Sequence, residues 1–223
     1  CINNYHGNFL YQPDFVSTKC MTTNKSAALR LINKLQDSEV TLDDVNAIIS
    51  QDVTLSYKLL RYLNSASLMM RRKVDTIHNA ILWMGLNPIR NWATILLMSS
   101  INEKPSELIT TSLIRARFCE ELAKKRKQDN VQPFFLTGLL STLEALLDMP
   151  MDEVLKELPI SDEIKQGIID LKGEHGQILK LVLAYENNDN AVLAKVSGGM
   201  TVLREIYLEA TAWADELQKE LIA

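Results

Sequence analysis

Apolar side chains return every three or four positions along most of this chain, and strand-like alternation is hard to find. Ala28, Leu31, Ile32 and Leu35 make one such face; Ile77, Ala80, Ile81 and Met84 make another. A period near 3.6 gathers such residues on one side of a helix, whereas a strand needs a period of two. The expected fold class is therefore all-α. Punctuation agrees, because Pro88, Pro105, Pro133 and Pro150 stand where helices can begin, proline fitting the first turn but not the interior. Gly85, Gly173, Gly176 and the pair Gly198-Gly199 read as breaks.

Thr41, with Asp44 three positions on, forms an acidic variant of the capping box and starts a helix expected to run to about Gln51. Asp52 then caps a helix carrying Leu55, Leu59, Leu60 and Leu63, which fades at Asn64-Ser65. Further helices are expected near 76–85, 88–101, 106–127, 133–147, 150–158, 161–172, 177–187 and 190–197, about a dozen in all. The last runs from Met200 to the end, with Val202, Ile206, Ala210, Trp213, Leu217 and Leu221 as one stripe. Residues 1–20 lack a helical period and suit a linker or the end of a preceding domain. The chain opens on Cys1 rather than Met, so the expectation is a piece cut from something longer.

With 223 residues, 47% of them hydrophobic, the chain has enough apolar material to bury a substantial core. Its formal net charge of −4 argues against a nucleic-acid binder. No apolar run approaches a bilayer span and no signal segment is visible, so a cytoplasmic protein is expected. Cys1, Cys20 and Cys119 are odd in number and widely spaced, which suits a reducing compartment better than a disulfide framework.

Chemistry is sparse. His6, His78 and His175 lie far apart with no carboxylate pattern around them that suits a metal. His78 follows a core residue on its helix, and His175 lies in Lys172-Gly173-Glu174-His175-Gly176, read as an exposed turn. No phosphate loop or dinucleotide fingerprint is present. The pairs Asp43-Asp44, Asp152-Glu153 and Asp162-Glu163 fall in first turns of helices, where negative charge complements the amide end. Lys124-Lys125-Arg126-Lys127 closes a helix in the complementary way, while Arg71-Arg72-Lys73 lies in a connection and is the better candidate for phosphate.

Residues Asp52 to Ala66, reading DVTLSYKLLRYLNSA, resemble the D-P-x-L…L-L-R-x-x-N-S-A signature of HDOD domains, relatives of the HD phosphohydrolases. Val74 to Gly85, VDTIHNAILWMG, is similar to the family's S-I-x-x-A-I-x-x-L-G helix, with Met84 replacing Leu here and Val53 replacing Pro in the first motif. Asp52, Leu60, Asn64, Ser65, Ala80, Gly85 and Gly138 are the family-motif positions, read as structural. In catalytic HD enzymes the helix matching Pro133–Glu144 reads G-L-L-H-D-I-G, whose His-Asp pair binds metal; Ser141 and Thr142 fill those places here. A hydroxyl pair cannot replace imidazole plus carboxylate for a divalent ion. Segments 149–161 and 207–214 resemble the C-terminal half of EAL-HDOD signalling proteins, and Gly7–Pro13 resembles the end of an EAL domain, the module that binds or hydrolyses cyclic di-GMP.

The resemblance implies an EAL remnant at 1–13, a linker at 14–25 and an HDOD domain at 26–223, divided into bundles at about 26–103 and 104–223. It implies a non-catalytic output module with no catalytic residue, metal or cofactor, acting on protein partners and on the missing EAL domain in cis, with homo-oligomers left open. Phe134, Phe135, Trp83, Trp92 and Trp213 are candidate anchors, although ordinary core positions explain most of them. Two alternatives stay open: a divergent metal-dependent phosphohydrolase, and a nucleotide sensor using Arg71, Arg72 and Lys73.

Overall fold

A computed structural model describes residues 31–50, 76–99, 106–156, 158–193 and 199–222. The expectations for the EAL remnant, the linker, Asp52, Leu60, Asn64, Ser65, the basic run 71–73, His6, Cys1, Cys20 and Gly198 lie outside the described residues. After a helical stretch at 31–36 come α1 (Leu42–Ser50), α2 (Ile77–Met84), α3 (Leu86–Ser99), α4 (Ser106–Lys125), α5 (Gln132–Leu140) and α6 (Leu143–Leu147). Then follow α7 (Met151–Lys156), α8 (Asp162–Ile169), α9 (Gly173–Glu186), α10 (Asn190–Leu193) and α11 (Gly199–Ile222). No strand occurs among the described residues, so the fold is all-α as the periodicity implied.

Local chemistry sets the helix ends. The backbone N–H and hydroxyl of Thr41 donate to Asp44 Oδ2 at 2.9 and 2.6 Å, and Thr41 Oγ1 accepts the Asp44 N–H at 3.2 Å, closing the expected capping box. Thr76 Oγ1 accepts from the Asn79 N–H at 3.1 Å to start α2, and Gly85 at φ +85° is the single residue between α2 and α3. Ser161 caps α8 through the Ile164 N–H, and the first turns of α7 and α8 carry the acidic pairs read from the sequence. Ala80 lies within α2.

α4 is the central helix, with α5, α9, α11 and α3 packed around it. Leu113, Ala116, Phe118 and Ala123 on α4 are fully enclosed. Of the candidate anchors, Trp92, Phe134 and Phe135 are core residues. The half-buried Trp213 ring meets Trp92 edge-on at 6.5 Å and Phe135 at 6.1 Å, and the Arg117 guanidinium lies 5.6 Å above it. Trp83 and its neighbour Leu82 are exposed, at 47% and 58%. The α11 stripe is seated through Ile206, Ala210 and Leu217, joined by Leu203 and Ala214.

Three expectations are corrected. The helix expected over 133–147 is two helices, broken at Ser141-Thr142. The helix expected over 161–172 ends at Ile169, Leu171 taking the left-handed conformation at φ +53°. Gly176 is not a break but sits in the first turn of α9, which starts four residues earlier than expected, at Gly173. The reason for glycine is proximity: a Cβ at Gly176 would lie 2.2 Å from the Leu171 carbonyl carbon. His175 is consequently half-buried on a helix rather than exposed in a turn.

Gly176→Ala is expected to lower unfolding free energy in urea by about 3 kcal/mol, the upper end of the usual overpacking range. Gly173→Ala has open space around its Cβ and only the φ +67° conformation against it, so about 1–2 kcal/mol is expected.

Candidate functional site

Helices α4 and α5 touch backbone to backbone at Gly138, where a Cβ would come 2.7 Å from both Ala116 Cα and Arg115 O. Two residues later α5 stops. The Ser141 hydroxyl donates back to Gly138 O at 2.7 Å and the Thr142 hydroxyl to Leu139 O at 3.0 Å. Such bonds from side chain to preceding carbonyl compete with helix continuation, which is why this sequence turns rather than running on to Leu147. The two hydroxyls thereby face α4 across its tightest contact.

The side chain that Ser141 faces is Arg115, only 6% exposed. Its Nε and Nη2 donate to the two carboxylate oxygens of Glu186, at the end of α9, at 3.1 and 2.7 Å, and its Nη1 donates to Ser141 Oγ at 3.0 Å. This is the bidentate fork that guanidinium and carboxylate geometry favour. Thr142 Oγ1 lies 2.6 Å from Ser112 Oγ, which is also 2.7 Å from Leu108 O. Two hydroxyl protons serve three contacts, so one contact is always shared or yielded. A cavity of about 190 Å³ adjoins the cluster, lined by Arg115, Ser141, Thr142, Glu144, Leu183 and Glu186.

Chemically the arrangement is saturated. Ser141 has no base beside it, since its oxygen already accepts from a guanidinium that cannot take a proton. Both Glu186 oxygens accept from Arg115. Burial pushes the Cys119 thiol, one turn along α4, well above its usual range; Arg115 opposes this and Glu186 adds to it, so the group stays protonated and behaves as a small apolar side chain. Burial and then the Glu186 charge raise the Tyr207 hydroxyl as well. Among the described residues no group of three His, Cys, Asp or Glu side chains could hold a metal ion.

Sequence reasoning singled out Ser141, Thr142 and Gly138, and the structure brings them together. It missed Arg115, Glu186 and Ser112. The available signal was Arg115 itself, a lone charge in the run Leu113-Ile114-Arg115-Ala116, where a charge in an apolar stretch needs a partner. His78 is exposed on α2, far from this role. His175 stacks on Phe134 with ring centres 4.3 Å apart, and its buried Nε2 has no protein hydrogen-bond partner.

The same helical arrangement occurs in solved structures. An HDOD domain protein of unknown function from Geobacter sulfurreducens superposes with a TM-score of 0.60 at 17% identity, covering 93% of this chain and 97% of that one. A Shewanella amazonensis protein described as a candidate metal-dependent phosphohydrolase superposes at 0.59 with 20% identity, over 89% and 92%. The HDOD domain family matches residues 21–158, and the chain belongs to that family. An uncharacterized Bacillus subtilis protein, YuxH, is 30% identical over 219 residues, 96% of this chain and 54% of that protein. CdgJ of Vibrio cholerae, a cyclic di-GMP phosphodiesterase, is 26% identical over 96% of this chain and 51% of its own length. The chain spans about half the length of these relatives.

Burial holds the His175 imidazole below its ordinary 6.5, against the pull of Glu163 and Glu174. The unfolded chain therefore takes up the proton first. Stability from this group is complete above 6.5 and falls as pH drops through 6.5 toward the depressed value. The loss of Tm between neutral and mildly acidic solution is expected to be smaller in His175→Phe, which keeps the stack without the titration.

Proposed function

We propose that this chain is a non-catalytic output module of a bacterial cyclic di-GMP-related regulatory protein of the EAL-HDOD type, working in the cytoplasm through protein contacts. The observation that carries the reading is the Arg115 guanidinium bonded to Ser141 Oγ at 3.0 Å. Ser141 and Thr142 are the positions that resemble the His-Asp pair of HD enzymes, and these residues do not fit a metal. Both oxygens are neutral, both hydroxyls bond to main-chain carbonyls, and a second positive charge beside the guanidinium would be repelled. Water activation by an ion has no footing at such a centre.

The cyclic di-GMP connection rests on the likeness to CdgJ, and an EAL module in cis rests on the resemblance of Gly7–Pro13 to the end of an EAL domain. Gly138 then serves close packing and Gly85 the turn between α2 and α3, rather than chemistry. Leu82 and Trp83, exposed side by side on α2, offer apolar surface to a protein partner, aromatic side chains being frequent at the centres of interfaces. No helix among the described residues is long and apolar enough to cross a membrane, and a net charge of −4 disfavours nucleic acid as the partner.

The test compares the parent protein, the parent lacking residues 14–223, and this chain alone, each assayed for cyclic di-GMP turnover with magnesium, manganese or nickel supplied. The chain alone is expected to show no turnover, while its removal alters the output of the parent. Trp83→Ala in the parent is expected to leave Tm nearly unchanged and to weaken that output. Metal-dependent turnover by the chain alone would overturn the reading in favour of a divergent hydrolase, and saturable nucleotide binding would favour a sensor.

A further inference from the structure

The polar centre at the α5–α6 break already holds a cation. Three acceptor oxygens from two separate parts of the chain, Glu186 Oε1 and Oε2 on α9 and Ser141 Oγ at the break, converge on one planar charge supplied by α4. We propose that this is a cation site whose occupant is the chain's own guanidinium, so that removing the Arg115 side chain leaves a vacancy that accepts free guanidinium ion. The matching of Ser141-Thr142 to a metal-binding pair rests on the function proposed above. The vacancy itself does not.

Burial makes a positive occupant obligatory. The Glu186 side chain is 14% exposed and Arg115 6%, so the carboxylate depends on its partner far more than a surface one would. Shape then selects the cation. Two parallel N–H bonds to one carboxylate and a third to a hydroxyl suit a planar fork, not a spherical ion. The adjoining cavity of about 190 Å³, with Glu144 also on its wall, gives a free ion a way in and adds a second negative charge. The same convergence explains why this centre binds without reacting. A guanidinium has no open coordination position at which a water could be held and deprotonated.

Arg115→Ala is expected to lower Tm by about 10 °C, from the cost of orphaning a buried charge in a chain of this size. Low-millimolar guanidinium chloride should restore part of that loss, whereas equal sodium chloride, methylammonium chloride or urea should not, and wild-type Tm should not rise. Glu186→Gln should abolish the response. If Arg115→Ala does not fold, refolding yield with and without each additive gives the same comparison. Arg115→Lys, which keeps the charge without the fork, should then fold with a lowered Tm that guanidinium does not raise. An unchanged Tm in Arg115→Ala, or equal recovery by sodium and guanidinium, would overturn the proposal. Either result leaves the non-catalytic reading standing, because that reading fails only on turnover or ligand binding by the wild-type chain.

Discussion

The approach of α5 to α4 at Gly138 governs what this centre can be. With only 2.7 Å between a notional Cβ and the main chain at Arg115 and Ala116, any larger residue would force the two helices apart. Because they stay together, the carbonyls of Gly138 and Leu139 lie within reach of the Ser141 and Thr142 hydroxyls just as the helix ends, and Arg115 is held against Ser141. Phe134 and Phe135, on the preceding turn of α5, are pressed at the same time toward His175 and Trp213. The glycine therefore links the polar centre with the aromatic core.

Once Arg115 is buried by that contact, its charge dictates the partner. Glu186 answers it from the last turn of α9, and α9 can reach because Gly176 lets its first turn close on Leu171. The family match ends at residue 158, so the counter-ion for an arginine inside the matched region comes from beyond it. The later helices are thus coupled to the earlier ones by charge as well as by packing. Phe118 adds an apolar link across the same elements, meeting Tyr185 at 5.4 Å and Tyr207 at 5.9 Å.

The helical class and most helix starts were legible because period and capping are local properties. Thr41 with Asp44 needs only four residues to declare itself. The break at Ser141-Thr142 was not legible: the run from Pro133 to Leu147 is apolar enough to read as one helix, and the hydroxyls win only where the helix is already pinned to α4. Gly176 misled for a related reason. A glycine required by a close approach is indistinguishable in sequence from one required by a positive φ, and among the described residues Gly173 and Gly85 are of the second kind. Ser141 and Thr142 could be named from a motif, but Glu186 could not. Its role is set by a contact 71 residues away in sequence.

The saturation of the polar centre bears on where the protein's activity lies. A catalytic site keeps a strong group uncommitted until substrate arrives, and an open metal position or an unprotonated base stores that capacity. Here the strongest charges are spent on each other, both hydroxyls at the break bond to the main chain, and the buried thiol is held protonated. The free energy of these contacts goes into fixing three helices relative to one another. A centre committed in this way ties α4, α5 and α9 into one unit, while the exposed Leu82 and Trp83 lie on α2, which packs on α1 and α3 rather than on that centre.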